Sequence, residues 1–330
     1  MTSKIIKVSG LLGLIVLTAS CCCIFSGNIA KKEKPQVVAA SVKDTYTVQA
    51  IQQWYKQYKP TLDKALAVNR IFYLQAGVDS GIYSKTFGKN DIMRLPDFKR
   101  NISSPVVSKN HKILYLETYC DAENSYILYS LSREHGAKYV YTFTKPPYYF
   151  DVSPDGRELA FSTKEGDINQ IYRVNLKTKE LTLITDSLIG GVFPNYSPNG
   201  RWIAYFAQRK LRVKDINTGE ERILVDDPML KELPKWSPDG TWIVYQAKTA
   251  DAALYDIYKV NVYTGKIMQL TTQPGLDANP SFDRTGRKII FMSASDGPQG
   301  NQRLAMMDAN GDNLLVDQTS YTNIYYPQIK

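Results

Sequence analysis

The stretch "SPDGRELAFST", Ser153 to Thr163, returns as "SPNGRWIAYFA" from Ser197 and as "SPDGTWIVYQA" from Ser237. Ser-Pro opens a tight turn, Asp or Asn bonds back to the backbone, and Gly accepts a positive φ. The alternating or continuously apolar run that follows reads as a half-buried or central strand. Related turns stand at "SKNH" from Ser108 and "DRTG" from Asp283, so successive turns lie 45, 44, 40 and 46 residues apart. A period of that length with strands between the turns is the signature of a propeller blade.

Each unit divides into four strands. The last complete one runs "NPSF", "KIIFMSA", "QRLAMMDANG", "NLLVDQT", and the one before it "LPKW", "TWIVYQAK", "YDIYKVNVYTG", "KIMQLTT". Upstream of the first turn, "RIFYLQA", "GIYSKTF" and "DIMRLPD" supply a second, third and fourth strand without a first. The C-terminal "NIYYPQIK" supplies it: Pro327 lies 47 residues after Pro280, the proline of "NPSF". The expectation is an all-β, six-bladed β-propeller of four-stranded blades over residues 69–330, closed by the C-terminal strand and leaving no free sheet edge at the seam.

The repeats "PKWSPDGTWIVYQAK" and "NPSFDRTGRKIIFMSASDG" with "RLAMMDANGDN" resemble those of the TolB-like propeller family. The resemblance covers roughly residues 69–330 and implies a scaffold on which envelope proteins dock. It is specific for fold rather than activity, since one fold hosts many functions. The α/β domain that precedes the propeller in TolB is replaced here by a short helical segment at residues 46–68. There, Val48, Ile51, Trp54 and Tyr55 fall at helical spacing and Pro60 is expected to interrupt the helix.

The amino end reads as an export signal. Lys4 and Lys7 form a basic region, Gly10 to Leu17 an apolar one, and Thr18, Ala19 and Ser20 lead into Cys21. Leu17 to Cys21 resembles a lipobox, which makes residues 1–20 a lipoprotein signal peptide and Cys21 the lipid acceptor; simple cleavage and an uncleaved anchor are the alternatives. Residues 21–45, small and polar with Lys31, Lys32 and Lys34, read as a flexible tether. The expected location is the periplasm-facing side of a bacterial envelope membrane.

Composition narrows function. The net charge of +9 is spread along the chain with no basic block, so no nucleic-acid partner is expected. Three of the four cysteines sit at the leader boundary, and Cys120 is read as a small buried hydrophobe, so neither a disulfide framework nor a zinc spacing exists. His111 and His135 both fall in turns, and two histidines cannot build a histidine metal cluster. No G-x-S-x-G elbow occurs. Asp155, Asp239 and Asp283 recur in turns that need a short polar side chain, and Asp256 and Asp308 recur as blade features. No cofactor, metal or catalytic residue is therefore assigned.

Loops joining one blade's outer strand to the next inner strand surround one mouth of a propeller channel, where recognition concentrates. In this chain they carry Arg100, Asn101, Tyr148, Phe193, Lys231, Glu232, Asp277, Asn279, Asn323 and Tyr325. That mixture of aromatic, amide and charged groups suits a protein or peptide partner. The reading is a noncatalytic, monomeric, membrane-tethered scaffold; the alternative is a carbohydrate-active propeller, a lyase or glycan-binding protein.

Overall fold

The computed structural model describes residues 43–66, 70–75, 81–96, 100–101, 105–108, 114–120, 125–143, 145–248, 254–294, 302–319 and 324–329. The leader with Cys21, most of the tether, the turn after Ser108 with His111, Asn323, and the side chains of Arg100, Asn101 and Cys120 lie outside the described residues.

The repeated turns have a common construction. Gly156 N–H donates to Ser153 O at 2.9 Å, and Gly200 and Gly240 repeat that bond to Ser197 and Ser237. Each glycine sits at φ 72 to 73°, where a Cβ would clash with its own backbone. The serine hydroxyl donates to the Asp or Asn two residues on and accepts the N–H five residues on, as in Glu158 N to Ser153 Oγ at 2.9 Å. At Asp283 a carboxylate replaces the hydroxyl, accepting from Lys288 N at 3.0 Å and from Thr285 Oγ1 at 2.7 Å. Successive turns also touch: Pro154 lies under Gly200, and Pro238 under Gly286.

Each turn feeds a strand, and the strands form antiparallel meanders. Five sheets are built from strands consecutive in the chain, among them Val192–Tyr196, Trp202–Ala207, Lys210–Asp215, Glu221–Val225 and, next, Leu230–Trp236, Trp242–Lys248, Asp256–Asn261, Ile267–Gln269. A further sheet is composite. The C-terminal strand Ile324–Ile329 pairs with Ile71–Gln75, which pairs with Gly81–Lys85 and then Met93–Arg94, placing Ile71 opposite Ile329 and Gln75 opposite Ile324. Sequence and structure agree on this pairing. The buried cores lie between neighbouring sheets; Ala204, Phe206, Val213, Ile243, Tyr245 and Val260 fill one such interlayer.

The first strand of most sheets carries a bulge. In four of them two residues face one on the neighbouring strand: Phe193-Pro194 against Tyr205, Leu233-Pro234 against Tyr245, Asn279-Pro280 against Phe291, and Tyr326-Pro327 against Tyr73. Proline brings no N–H, so the ladder loses no donor where it is bulged. The residue before each proline is left-handed, at φ 59, 56, 57 and 53° in the order given. Phe, Leu and Tyr rarely adopt that conformation, which costs about 1–2 kcal/mol each, so surrounding packing must hold it. The strand Tyr149–Val152, which has Phe150 where the others have proline, pairs in regular register.

The expected break at Pro60 does not occur. One helix, α1, spans Lys43–Ala65 with Pro60 inside it. An interior proline costs about 3 kcal/mol, but Ile51, Trp54 and Tyr55 before it and Leu62, Ala65 and Leu66 beyond it enter one buried cluster with Phe72, Ile82 and Ile127. Each large apolar side chain so buried returns about 2 kcal/mol. Trp54 meets Tyr129 edge-on at 5.8 Å, and Tyr55 lies where a Cβ on Gly136 would stand, 2.9 Å away, so the helix docks on the composite sheet and its neighbour.

Candidate functional site: the channel mouth

The first strands of separate sheets line one cavity. Pro105, Val106, Tyr149, Phe150, Leu233, Lys235, Asn279, Pro280, Tyr326 and Gln328 face it together with Tyr148, and it holds about 470 Å³ counting the solvent at its opening. Strand direction fixes its two ends. Every repeated turn follows a first strand, so the turns mark one end and the bulges, four residues earlier, lie toward the other, the mouth.

At the mouth the bulges present one side chain from each strand. Phe193, Leu233, Asn279 and Tyr326 occupy equivalent places, and Tyr149 takes the same place in the unbulged strand. The Tyr149 and Phe193 rings are tilted with centroids 4.1 Å apart; Tyr149 and Tyr326 stand edge-on at 6.2 Å, their hydroxyls 3.2 Å apart. Burial raises the pKa of both phenols, so each stays a neutral hydroxyl that donates or accepts. Two residues deeper, Asp151 accepts from Asn195 Nδ2 at 2.9 Å and from Tyr196 N at 2.8 Å, and Asn195 Oδ1 accepts Trp236 N at 3.1 Å. These bonds tie adjacent first strands beneath the mouth.

Beside the aromatic group lies a polar relay. Glu232 accepts from Tyr255 and from Gln246 Nε2 at 3.0 Å, and Gln246 Oε1 accepts the N–H of the left-handed Asn279 at 2.7 Å. Burial lifts the Glu232 carboxyl above the usual carboxylate range; the two hydrogen bonds and the more distant Lys248 only partly counter it. Lys248 rests on the Tyr255 ring at 4.8 Å.

The sequence-chosen residues do not share one place. Asn279 and the exposed Tyr148 line the cavity, Phe193 packs on Tyr149, and Glu232 bonds Gln246 beside Asn279. Tyr325 is half-buried, and its neighbour Tyr326 faces the cavity instead. Lys231 and Asp277 are internal. The Lys231 ammonium donates to Arg209 O, Asp227 O and Met229 O, each at 2.9 Å, and pairs with Asp227 at 2.6 Å, so its donors are committed within the fold. Asp277 is buried, accepts from Ser293 and Thr271, and has its pKa raised by desolvation. Arg100 and Asn101 form a short strand paired to Tyr119 and Thr118. Leu233 and Tyr326 are not among the residues chosen from the sequence, although the X-Pro pair marks both.

Among the described residues no group of three or more His, Cys, Asp and Glu could hold a metal ion, and no helix is long and apolar enough to cross a membrane.

Residues 191–329 match the family model of the TolB beta propeller domain. TolB from Acinetobacter baumannii is similar in structure, with TM-score 0.65, 16% identity, and 78% of this chain and 66% of that one covered. A putative TolB from Agrobacterium tumefaciens gives TM-score 0.58 at 21% identity, covering 78% and 91%. A chain of a nidogen/laminin complex gives TM-score 0.61 at 10% identity, covering 78% and 97%. An uncharacterized peptidase of Bacillus subtilis, YuxL, is 27% identical over 144 residues, which are 42% of this chain and 20% of that protein; the chain thus spans about a fifth of the curated relative it matches. With its mostly four-stranded sheets and shared cavity, and one helix among the described residues, the chain carries a TolB-like β-propeller fold.

Proposed function

We propose that the chain is a noncatalytic scaffold of the bacterial envelope, tethered through its amino end, whose channel mouth docks a protein or peptide. In this reading six blades form a closed ring, with the strand Ile324–Ile329 completing the blade begun at Ile71, and the lipid on Cys21 holds the ring at the membrane. One observation carries the proposal: strands from separate sheets, strained at their bulges, gather Leu233, Asn279 and Tyr326 with Tyr149 around one opening, and Phe193 packs on Tyr149. Rigid aromatic groups in a preformed hollow are the usual anchors of protein recognition. The likeness to TolB propellers supports the same reading, and nothing among the described residues favours the carbohydrate alternative.

The test is site-specific photocrosslinking of the full-length protein in its native envelope, with the reactive group at Tyr148. A discrete protein adduct that is lost on Phe193→Ala or Tyr326→Ala, in variants that still melt cooperatively, is expected. Adducts indifferent to both substitutions would place the docking face elsewhere.

A further inference from the structure

Glu232 stands out at the mouth. Its side chain is half-buried, and among the described residues no ion pair is formed by it; its partners are the neutral Gln246 and Tyr255. A carboxylate has about four acceptor sites, so two donors leave it unsaturated. Desolvation without a countercharge is the expensive half of an ion pair, and an incoming cation would supply the other half. The other charges nearby are already placed. Lys231 is committed to carbonyls and Asp227, Lys248 rests on Tyr255, and Lys235 lines the cavity two residues further along the strand from Leu233, at the level of Asp151 and Asn195.

The rings complete the picture. Glu232 is joined through Gln246 to Asn279, which lines the cavity with Tyr149 and Tyr326, and Tyr149 packs against Phe193. A carboxylate beside clustered aromatic faces is the chemistry that recognises a guanidinium or ammonium group, by charge and by the ring quadrupole together.

We propose that the mouth seats a cationic side chain, an arginine or lysine of the docked segment, between the Glu232 carboxylate and the rings of Tyr149, Phe193 and Tyr326. This rests on the protein-docking reading above and adds the chemistry of the contact. Neutral or acidic residues at that place in the partner leave Glu232 without a countercharge, so the site discriminates by charge as well as by fit.

The probe is a displayed library of linear random peptides, selected on the full-length protein. The binders are expected to share one basic residue. Exchanging an arginine there for citrulline, its neutral isostere, should weaken binding about tenfold. In Glu232→Gln the same exchange should change little, because the cycle removes both partners of one interaction. Independently of any variant, a photoreactive group beside the basic residue should label the strand Leu230–Trp236. Binders without a shared basic residue, an equal citrulline loss in Glu232→Gln, or labelling confined to other strands each overturns the assignment. Binders indifferent to Phe193→Ala and Tyr326→Ala, or no binders at all, would instead overturn the docking reading, and this proposal with it.

Discussion

Asp277 shows how far a residue's type can mislead about its place. On the sequence it is a loop carboxylate near a channel mouth, but in the fold it is buried, with Ser293 and Thr271 as donors and Asp256 near enough to repel it. Its pKa is raised, first by desolvation, so the native state holds this proton more tightly than the unfolded chain. Stability from this group is therefore greatest below the unfolded carboxylate pKa and declines as pH rises through the folded value. Asp277→Asn, of the same shape and without charge, is expected to raise the melting temperature at neutral pH, and the gain should shrink as pH falls through the folded value and vanish near the unfolded carboxylate pKa of about 4. Thermal melts of both proteins across that range check it. Lys231 makes the complementary point: four internal oxygen partners cage its ammonium, and truncating it leaves them unpaired. Lys231→Met should cost about 3–5 kcal/mol in chemical denaturation; a loss under 1 kcal/mol would mean the cage is open to water. No local pattern announces either burial, because the partners come from loops and neighbouring strands whose approach only the tertiary fold decides.

The bulged first strands, by contrast, were largely written in the sequence. X-Pro marks Phe193, Leu233, Asn279 and Tyr326, the first three standing four residues before a turn, and the strand with Phe150 in place of proline pairs without a bulge. What could not be read was the left-handed backbone of the residue before each proline, since Phe, Leu and Tyr carry no propensity for it. Asn279 offers the cleanest test, because asparagine tolerates that region and glycine more so. Asn279→Gly should leave stability within about 0.5 kcal/mol, whereas Asn279→Val, β-branched at positive φ, should cost about 1–3 kcal/mol. Urea titrations of the pair distinguish backbone strain from loss of the side chain. The helix gave the opposite lesson: Pro60 is an expected interruption, and α1 stays whole because both halves feed one core.

At the scale of the molecule, the repeat period and the strand-for-strand likeness were enough to foresee a propeller of four-stranded sheets and the partnership of the two chain ends. They could not foresee the latch beside it. Lys85, in the composite sheet, is fully buried and pairs at 2.7 Å with the equally buried Asp317, which follows the strand Leu315–Val316 of the preceding sheet. Lys85 also donates to Thr319 Oγ1 at 2.7 Å, and Asp317 accepts Gly88 N–H at 2.9 Å. Burial alone would raise the Asp317 pKa, but the bonds from Lys85, Thr319 and Gly88 outweigh it and hold it low. Its contribution is present above the unfolded carboxylate pKa and is lost as pH falls through the lower folded value. Asp317→Asn strands a buried ammonium and should cost about 3–5 kcal/mol near neutral pH, measured by denaturant titration. Removal of residues 323–330 strips Ile71–Gln75 of its partner strand. The shortened protein is expected to melt at lower temperature and with less cooperativity, and an unchanged calorimetric transition would refute that account.

The composite sheet also sets a timetable. Ile71 and Ile329 are neighbours in space but about 250 residues apart along the chain, and closing so long a loop costs about 5 kcal/mol of entropy. A ribosome makes Ile71–Gln75 about 250 residues before its companion Ile324–Ile329, so until that companion emerges one hydrogen-bonding flank of the earlier strand has nothing of its own to grip. The nascent polypeptide is therefore most prone to aggregate while still incomplete, and a chaperone that shields residues near 71–75 would protect it during that interval.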